Sequence, residues 1–408
     1  MKILMVSSFL PYPLYSGGNI RLYNLIKNLS KTHEITLICE KRINQKEEDI
    51  KNVEKICRKV YAVERKKQWS AVNVFKTAVS SNPFLITGHK SSEMKKIIEK
   101  LLSEEKFDLI HVETFYVMQN LPAGLLRNEA SKAGLPKTKV PTLLVEHNIE
   151  YKVYKRYADK ASLILKPILL IDVAKIKRAE EYYWKKADKL VAVSVAEANQ
   201  MKRGDVEVVP NGVDTNKFSL KKLQNIEEKS EKKVLFIGDF KWVQNRDSIV
   251  YIIKNIWPQV IYKNKNKSNL KLWVVGKNIP EGIRKLEDPT IIFDENAPNE
   301  TELIFSEADL LLSPIRVGGG TNFKILESMA SGTPVLTTPL GNEGLEANKD
   351  QIVICEKPEE FSNKITEILS DNYLYEKISR NGRKFVEENF DWKQISQKLD
   401  NIYMSLVK

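Results

Sequence analysis

The sequence predicts an α/β protein built from two doubly wound, parallel-sheet (Rossmann-like) domains. Three observations lead there. Short continuous apolar runs alternate with stretches of helical period, the pattern of parallel strands covered by helices on both faces. After a charged, weakly apolar stretch, "SLKKLQNIEEKSEKK" (219–233), the same alternation starts again. The 408 residues also exceed what one ordinary hydrophobic core accommodates, so at least two cores are expected.

In the first half the strand runs are "KILMVSS", "EITLICE", "KVYAVE", "DLIHVE", "PTLLVEHN", "KLVAVS" and "VEVVP". Between the first two, Ile20, Leu22, Leu25, Ile26 and Leu29 recur at the spacing of one helix face. The stretch 219–233 reads as an exposed connection. Beyond it come "KVLFIGDF", a helix from about Asp247 to Trp257, and the runs "LKLWVVG", "TIIF", "ADLLLSP", "TPVLTT" and "QIVIC". Amphipathic helices fill the chain from about Pro358, and there is no short repeat or low-complexity tract. The expected division is 1–216, 217–388, and a C-terminal helix, 389–408, returning to the N-terminal domain. Ligands of doubly wound sheets bind beyond the carboxyl ends of the strands, so two such domains facing each other would make a cleft.

Composition excludes several classes. With 42% hydrophobic and 29% charged residues and no excess of Gly, Pro or Cys, the chain is neither fibrous, disordered nor disulfide-stapled. A net charge of +12 favours anionic partners, which include nucleic acid, anionic lipid and nucleotide phosphates. Cations that alternate with acids, without a recognised module, argue against nucleic acid. Cys39, Cys57 and Cys355 are odd in number and form no CxxC, so neither a disulfide framework nor structural zinc is expected, and a reducing cytoplasm fits. The four histidines, His33, His89, His111 and His147, lack metal-ligand spacing. "MKILMVSSFLPYPLYSGG" reads as a buried strand rather than a signal peptide, and no run approaches the ~18 to 20 apolar residues of a membrane span.

The chemistry concentrates in "SPIRVGGGTNFKILESMASGTPVL" (313–336), which reads as strand, glycine loop and helix, with Gly332 ending the helix. Ile325, Leu326, Met329 and Ala330 share one helix side, and Lys324, Glu327, Ser328 and Ser331 the other. Free N–H groups at a helix start bind anions, and Gly318, Gly319 and Gly320 let the main chain approach a phosphate. A lysine in the first turn opposes the helix dipole on an empty surface but becomes favourable beside a diphosphate. Arg316 on the same loop adds a bidentate donor, and Thr321 closes the loop. The plainer alternative is that Lys324 pairs with Glu327 or Ser328 and reaches water. The spacings of a Walker A loop and of GxGxxG are absent, which weakens triphosphatase and dinucleotide readings.

Taken with "ADKLVAVSVAEA", "VEVVPNGVDTNKF", "VLFIGDFKWVQNRDSIVYIIKNIWP" and "VEHNIEY", the segment "RVGGGTNFKILESMASGTPVLTTPLGNEGL" resembles the retaining GT-B fold glycosyltransferases of family 4, or group 1. The resemblance covers nearly the whole chain. It implies a hexosyltransferase-type enzyme whose second domain holds a nucleotide-sugar donor, with a sugar or lipid-linked glycan as acceptor. The nucleotide-sugar is then a substrate, and no cofactor is implied. Glu327 falls on the glutamate that holds the donor, Gly17 and Gly18 on the glycine loop facing the diphosphate and reacting sugar, and His147 on a position near the transferring sugar. His147, Lys324 and Glu327 are the expected catalytic residues, and Glu113, at the end of "DLIHVE", points toward the same cleft edge.

The sequence also departs from the family pattern. An earlier glutamate of many members is replaced here by Gly319, and the usual Arg and Lys after the second domain's first strand are replaced by Asp239 and Asn245. Arg316 and Lys324, assisted by Lys241 or Arg246, then substitute as phosphate ligands. No D-x-D sequence is present, so transfer without a metal is expected. The other readings are a GT-B nucleotide-sugar epimerase and a non-catalytic sugar-nucleotide-binding subunit; diphosphate release only with acceptor present separates the transferase from both. Residues 151–189 combine cations, aromatics and an apolar core. They read either as a buried helix with a solvated basic face, the commoner outcome, or as a peripheral contact with an anionic membrane at the inner face of the cell.

Overall fold

The structure, a computed structural model, describes residues 1–65, 70–126, 140–159, 161–264, 269–286, 288–298, 300–317 and 321–407. They form two compact units, one of Met1–Val209 with Ser396–Lys408, the other Pro210–Ile395.

The strands of the first unit are β1 (Lys2–Ser7), β2 (Glu34–Lys41), β3 (Lys59–Glu64), β4 (Leu109–Glu113), β5 (Thr142–Glu146), β6 (Lys189–Ala192) and β7 (Val206–Val208). They pair in parallel in the order β3-β2-β1-β4-β5-β6-β7. Every residue of β4 and β5 is buried, which is why these strands read as unbroken apolar runs rather than alternating ones. The helix Gly17–Leu29 follows β1, capped by the Ser16 side chain, and buries Leu22, Leu25, Ile26 and Leu29. It also buries Arg21, a charge on the apolar stripe. The last helix, Trp392–Val407, joins this unit from Ser396 onward, where Asp400 meets His33 at 2.7 Å and Tyr403 is buried.

The second unit repeats the plan with β8 (Lys232–Ile237), β9 (Leu270–Val275), β10 (Ile291–Asp294), β11 (Leu310–Ser313), β12 (Val335–Thr337) and β13 (Val353–Ile354), ordered β10-β9-β8-β11-β12-β13. Each run expected as a strand is one, and all pairings are parallel. The helix expected from Asp247 to Trp257 starts earlier and runs on. It spans Val243–Tyr251, passes through a π-turn at Ile252–Ile256, and continues as Trp257–Lys263. Pro258 lacks an N–H and crowds the preceding turn, and the wider π-turn accommodates it. The stretch from Ser219 to Glu231 is an irregular, mostly exposed connection, as expected, and it is tied down at two points: Ile226 is buried, and the Lys221 ammonium donates to the Ala308 carbonyl and to Thr333 Oγ1.

Candidate active site

In both sheets the first strand lies between the second and the fourth. Helices therefore leave in opposite directions at the β1/β4 and β8/β11 boundaries, and a crevice opens beyond the carboxyl ends there. Glu113, His147, Gly17 and Gly18 lie at the first of these places, and Arg316, Lys324 and Glu327 at the second.

At the first, Ser7 of β1 pairs with Glu113 of β4, and Glu113 with Val145 of β5. Gly17 and Gly18 begin the helix after β1, and His147 follows β5 by one residue. Gly18 and His147 come together: a Cβ at Gly18 would lie 3.4 Å from His147 Nδ1. Glu113 joins them. One of its carboxylate oxygens accepts from His147 Nε2 and the other from His111 Nε2 at 2.8 Å, while His111 Nδ1 meets the Tyr403 hydroxyl at 2.5 Å. Burial pushes the Glu113 carboxyl up, but His147 and His111 outweigh it and hold it well below the usual carboxylate range. An ionised Glu113 makes both Nε2 atoms donors. His147 Nδ1 lies on the side of Gly18.

Two further features belong to this corner. Thr114, directly after Glu113, has φ 76°, a left-handed conformation that is costly for a β-branched residue. The helix Glu150–Asp159 that follows the His147 turn is pinned at its start by Glu180, whose carboxylate accepts from the backbone N–H groups of Glu150 at 2.8 Å and Tyr151 at 3.2 Å. Burial pushes Glu180 up to about 8, and neighbouring Glu146, bonded to Trp184 Nε1, is also raised by burial. Arg21 lies in the same buried region, pulled down by burial against the charges of Glu113, Tyr403 and Glu197.

At the second place, the helix Val243–Tyr251 is tied to the segment after β11 in three ways. Ser248 Oγ donates to the Pro314 carbonyl at 3.1 Å, Arg316 forks onto Asp247 at 2.8 and 3.0 Å, and Lys324 Nζ donates to Asn245 Oδ1 at 2.9 Å. Asn245 in turn donates to the Asp239 carbonyl, and it packs so close to Gly238 that a Cβ there would fall 2.6 Å from its side chain. Lys324 occupies the first turn of Phe323–Ala330 and lies 4.9 Å from the centre of the Phe236 ring. Burial pulls its ammonium down to about 8, with Glu327 opposing, and burial pushes the Glu327 carboxyl up to about 8, with Lys217 opposing. The alternative pairing of Lys324 with Glu327 or Ser328 is not what forms. Ser328 is fully buried and donates to the Thr333 carbonyl, and Ser331 is buried too, so the polar side of this helix is not a solvated face.

The other expected donor residues are less uniform. The Arg316 fork is engaged by Asp247, and the guanidinium stacks 4.2 Å over the Tyr251 ring. Thr321 is buried with its hydroxyl directed at the Gly344 carbonyl, and Lys241 is exposed. Gly318, Gly319 and Gly320 lie outside the described residues. Sequence reasoning missed His111, Tyr403 and Arg21. Only Arg21 carried a readable signal, a charge one residue before Leu22 and four before Leu25 on an apolar stripe.

The chain matches the family described as Glycosyltransferase Family 4 over residues 15–217 and the one described as Glycosyl transferases group 1 over residues 231–371, which together cover most of it. It is 26% identical over 411 residues, 97% of each chain, to a Klebsiella pneumoniae protein described as an uncharacterized 44.6 kDa protein in the cps region. Among solved structures it resembles Anabaena HepE in complex with UDP, with a TM-score of 0.65 and 15% identity over 99% of this chain and 100% of that one. It also resembles WaaG, a glycosyltransferase involved in lipopolysaccharide biosynthesis, with a TM-score of 0.62 and 13% identity over 98% and 99%. At these identities the likeness is one of fold, and the fold is that of the GT-B glycosyltransferases.

Proposed function

Because the chain belongs to the group 1 and family 4 glycosyltransferases, we propose that it moves a sugar from a nucleoside-diphosphate donor to an acceptor hydroxyl with retention and without a metal ion, in the synthesis of a cell-surface polysaccharide or glycolipid. The observation that carries the donor half is the state of Lys324. A half-buried ammonium is partnered by a neutral amide oxygen, which accepts one hydrogen bond without cancelling its charge. A diphosphate beside the helix start would supply the missing anion. The polysaccharide reading draws on the lipopolysaccharide role of WaaG and on the cps-region relative.

In this reading the bond from the sugar's anomeric carbon to the diphosphate oxygen breaks as Lys324 and the helix-start amides stabilise the growing charge. The acceptor oxygen bonds to the same face of that carbon, and its proton passes to the departing phosphate. Glu327 accepts from donor hydroxyls. Arg316 adds a phosphate contact by leaving Asp247, at small cost because that pair is exposed. His147, held by Glu113 with Nδ1 toward Gly18, stands beside the reacting sugar.

The test is titration calorimetry of UDP, GDP, ADP and their sugars in the presence of a chelator, for the wild type and for Glu327→Ala. Binding of one nucleotide family by the wild type and its loss in the variant supports the reading. Binding that requires a divalent ion, or none at all, overturns it.

A further inference from the structure

The first unit carries an apolar surface with no part in the chemistry above. In the helix Ala71–Val79, Val72, Phe75 and Val79 recur at spacings of three and four, so they share one stripe, and all three are exposed, Phe75 to 67% and Val79 to 69%. Just before and within the helix Lys166–Lys186, Leu163 is 89% exposed and Ile164 84%, and Leu165, Ile168 and Ile171 are exposed as well. Such a run of consecutive solvated aliphatics is unfavourable on a surface that meets only water.

The helices that carry the two patches meet at one point. Lys175 Nζ donates to the carbonyls of Thr77 at 2.6 Å and Ser80 at 2.8 Å, at the end of the first helix. Asp172 accepts from the Phe84 N–H at 2.9 Å, fixing the turn between. Ile168 and Ile171 lie seven and four residues before Lys175, on the stripe that leads away from this junction. Lys76 is exposed on the first helix, and exposed Lys155 and half-buried Lys166 pair with Asp159 beside the start of the second.

We propose that the helix Ala71–Val79 and residues 163–171 form an in-plane docking surface for an anionic lipid bilayer. The aliphatic and aromatic side chains enter the headgroup boundary and the cations meet lipid phosphates. Among the described residues no helix is long and apolar enough to cross a membrane, so the contact is on the surface. A second copy of the chain fits less well, because pairing this face with itself would bring an excess of cations, Lys76, Lys155 and Lys166 against Asp159, to both sides of the interface. The sequence had pointed only to the second of these segments.

Vesicle flotation with the full chain, without nucleotide or sugar, tests this independently of the transferase reading. The wild type is expected to float with vesicles containing phosphatidylglycerol and to bind pure phosphatidylcholine about ten-fold more weakly. The double change Leu163→Ser, Ile164→Ser and the separate change Phe75→Ser are each expected to lower binding about ten-fold, with unchanged circular dichroism because these side chains are exposed. Failure of the wild type to float, or equal binding by the variants, overturns the proposal. So does a wild-type dimer that the variants disperse without any vesicle binding, which would assign the surface to a second copy.

Discussion

The two units present the same place in the same topology with opposite chemistry. At the β1/β4 boundary the central group is a carboxylate, Glu113, compensated within the protein by two histidine donors. At the β8/β11 boundary it is an ammonium, Lys324, whose hydrogen-bond partner is an amide. Strand order decides where a site opens; the side chains at the strand ends decide what it binds. The first centre is complete by itself and acts by holding His147 still. The second keeps its charge, and in the proposed reading an anion from outside completes it.

The comparison breaks most visibly if Glu113 is removed. Glu113→Ala leaves His111 and His147 without their shared acceptor in a buried place and is expected to cost about 3 to 5 kcal/mol in urea unfolding, while nucleotide affinity in the second unit stays unchanged. A small loss of stability would mean that the first centre is not self-compensated. Lys324→Ala should do the reverse. Nucleoside-diphosphate affinity falls by about 1 to 3 kcal/mol in calorimetry, and stability is unchanged or slightly higher because a half-buried charge is gone. Unchanged affinity would return this lysine to a structural role.

The smallest effect lies in pH dependence and has opposite signs in the two units. Glu113 is held below its ordinary 4.5, so its contribution is present above that pH and lost as pH falls below it. Glu327 is raised from 4.5 to about 8, so the folded state keeps a proton that the unfolded chain has lost, and its contribution is lost as pH rises from 4.5 through about 8. Urea midpoints across pH should therefore show Glu113→Gln flattening the acid limb and Glu327→Gln flattening the decline toward pH 8. Limbs that change in the same direction would contradict the comparison.

Much of this was legible in the chain. Strands buried on both faces must be continuous apolar runs, so all thirteen described strands could be read locally. The glycine loop and helix start drew attention to Lys324, the end of a strand run to Glu113 and, with the family resemblance, to His147, while Gly18 and Glu327 came from the resemblance alone. Partners were not legible where the two residues lie far apart in sequence. His111 and Tyr403 are separated by 292 residues and Lys324 and Asn245 by 79, and no local period encodes such a meeting. Arg316 illustrates the same limit, since its residue type suits phosphate but its fork lies on Asp247, 69 residues earlier.

The sequence by itself determined the two sheets, the strand ends at which chemistry gathers and the cationic helix start, because burial patterns and glycine-rich turns are local. Only the tertiary structure decided that Glu113 is held ionised between two histidines, that Lys324 rests on a neutral amide, and that Lys175 ties the helix Lys166–Lys186 to the end of the helix Ala71–Val79. Those states depend on distance and burial, which the chain acquires when segments far apart in sequence are brought into contact.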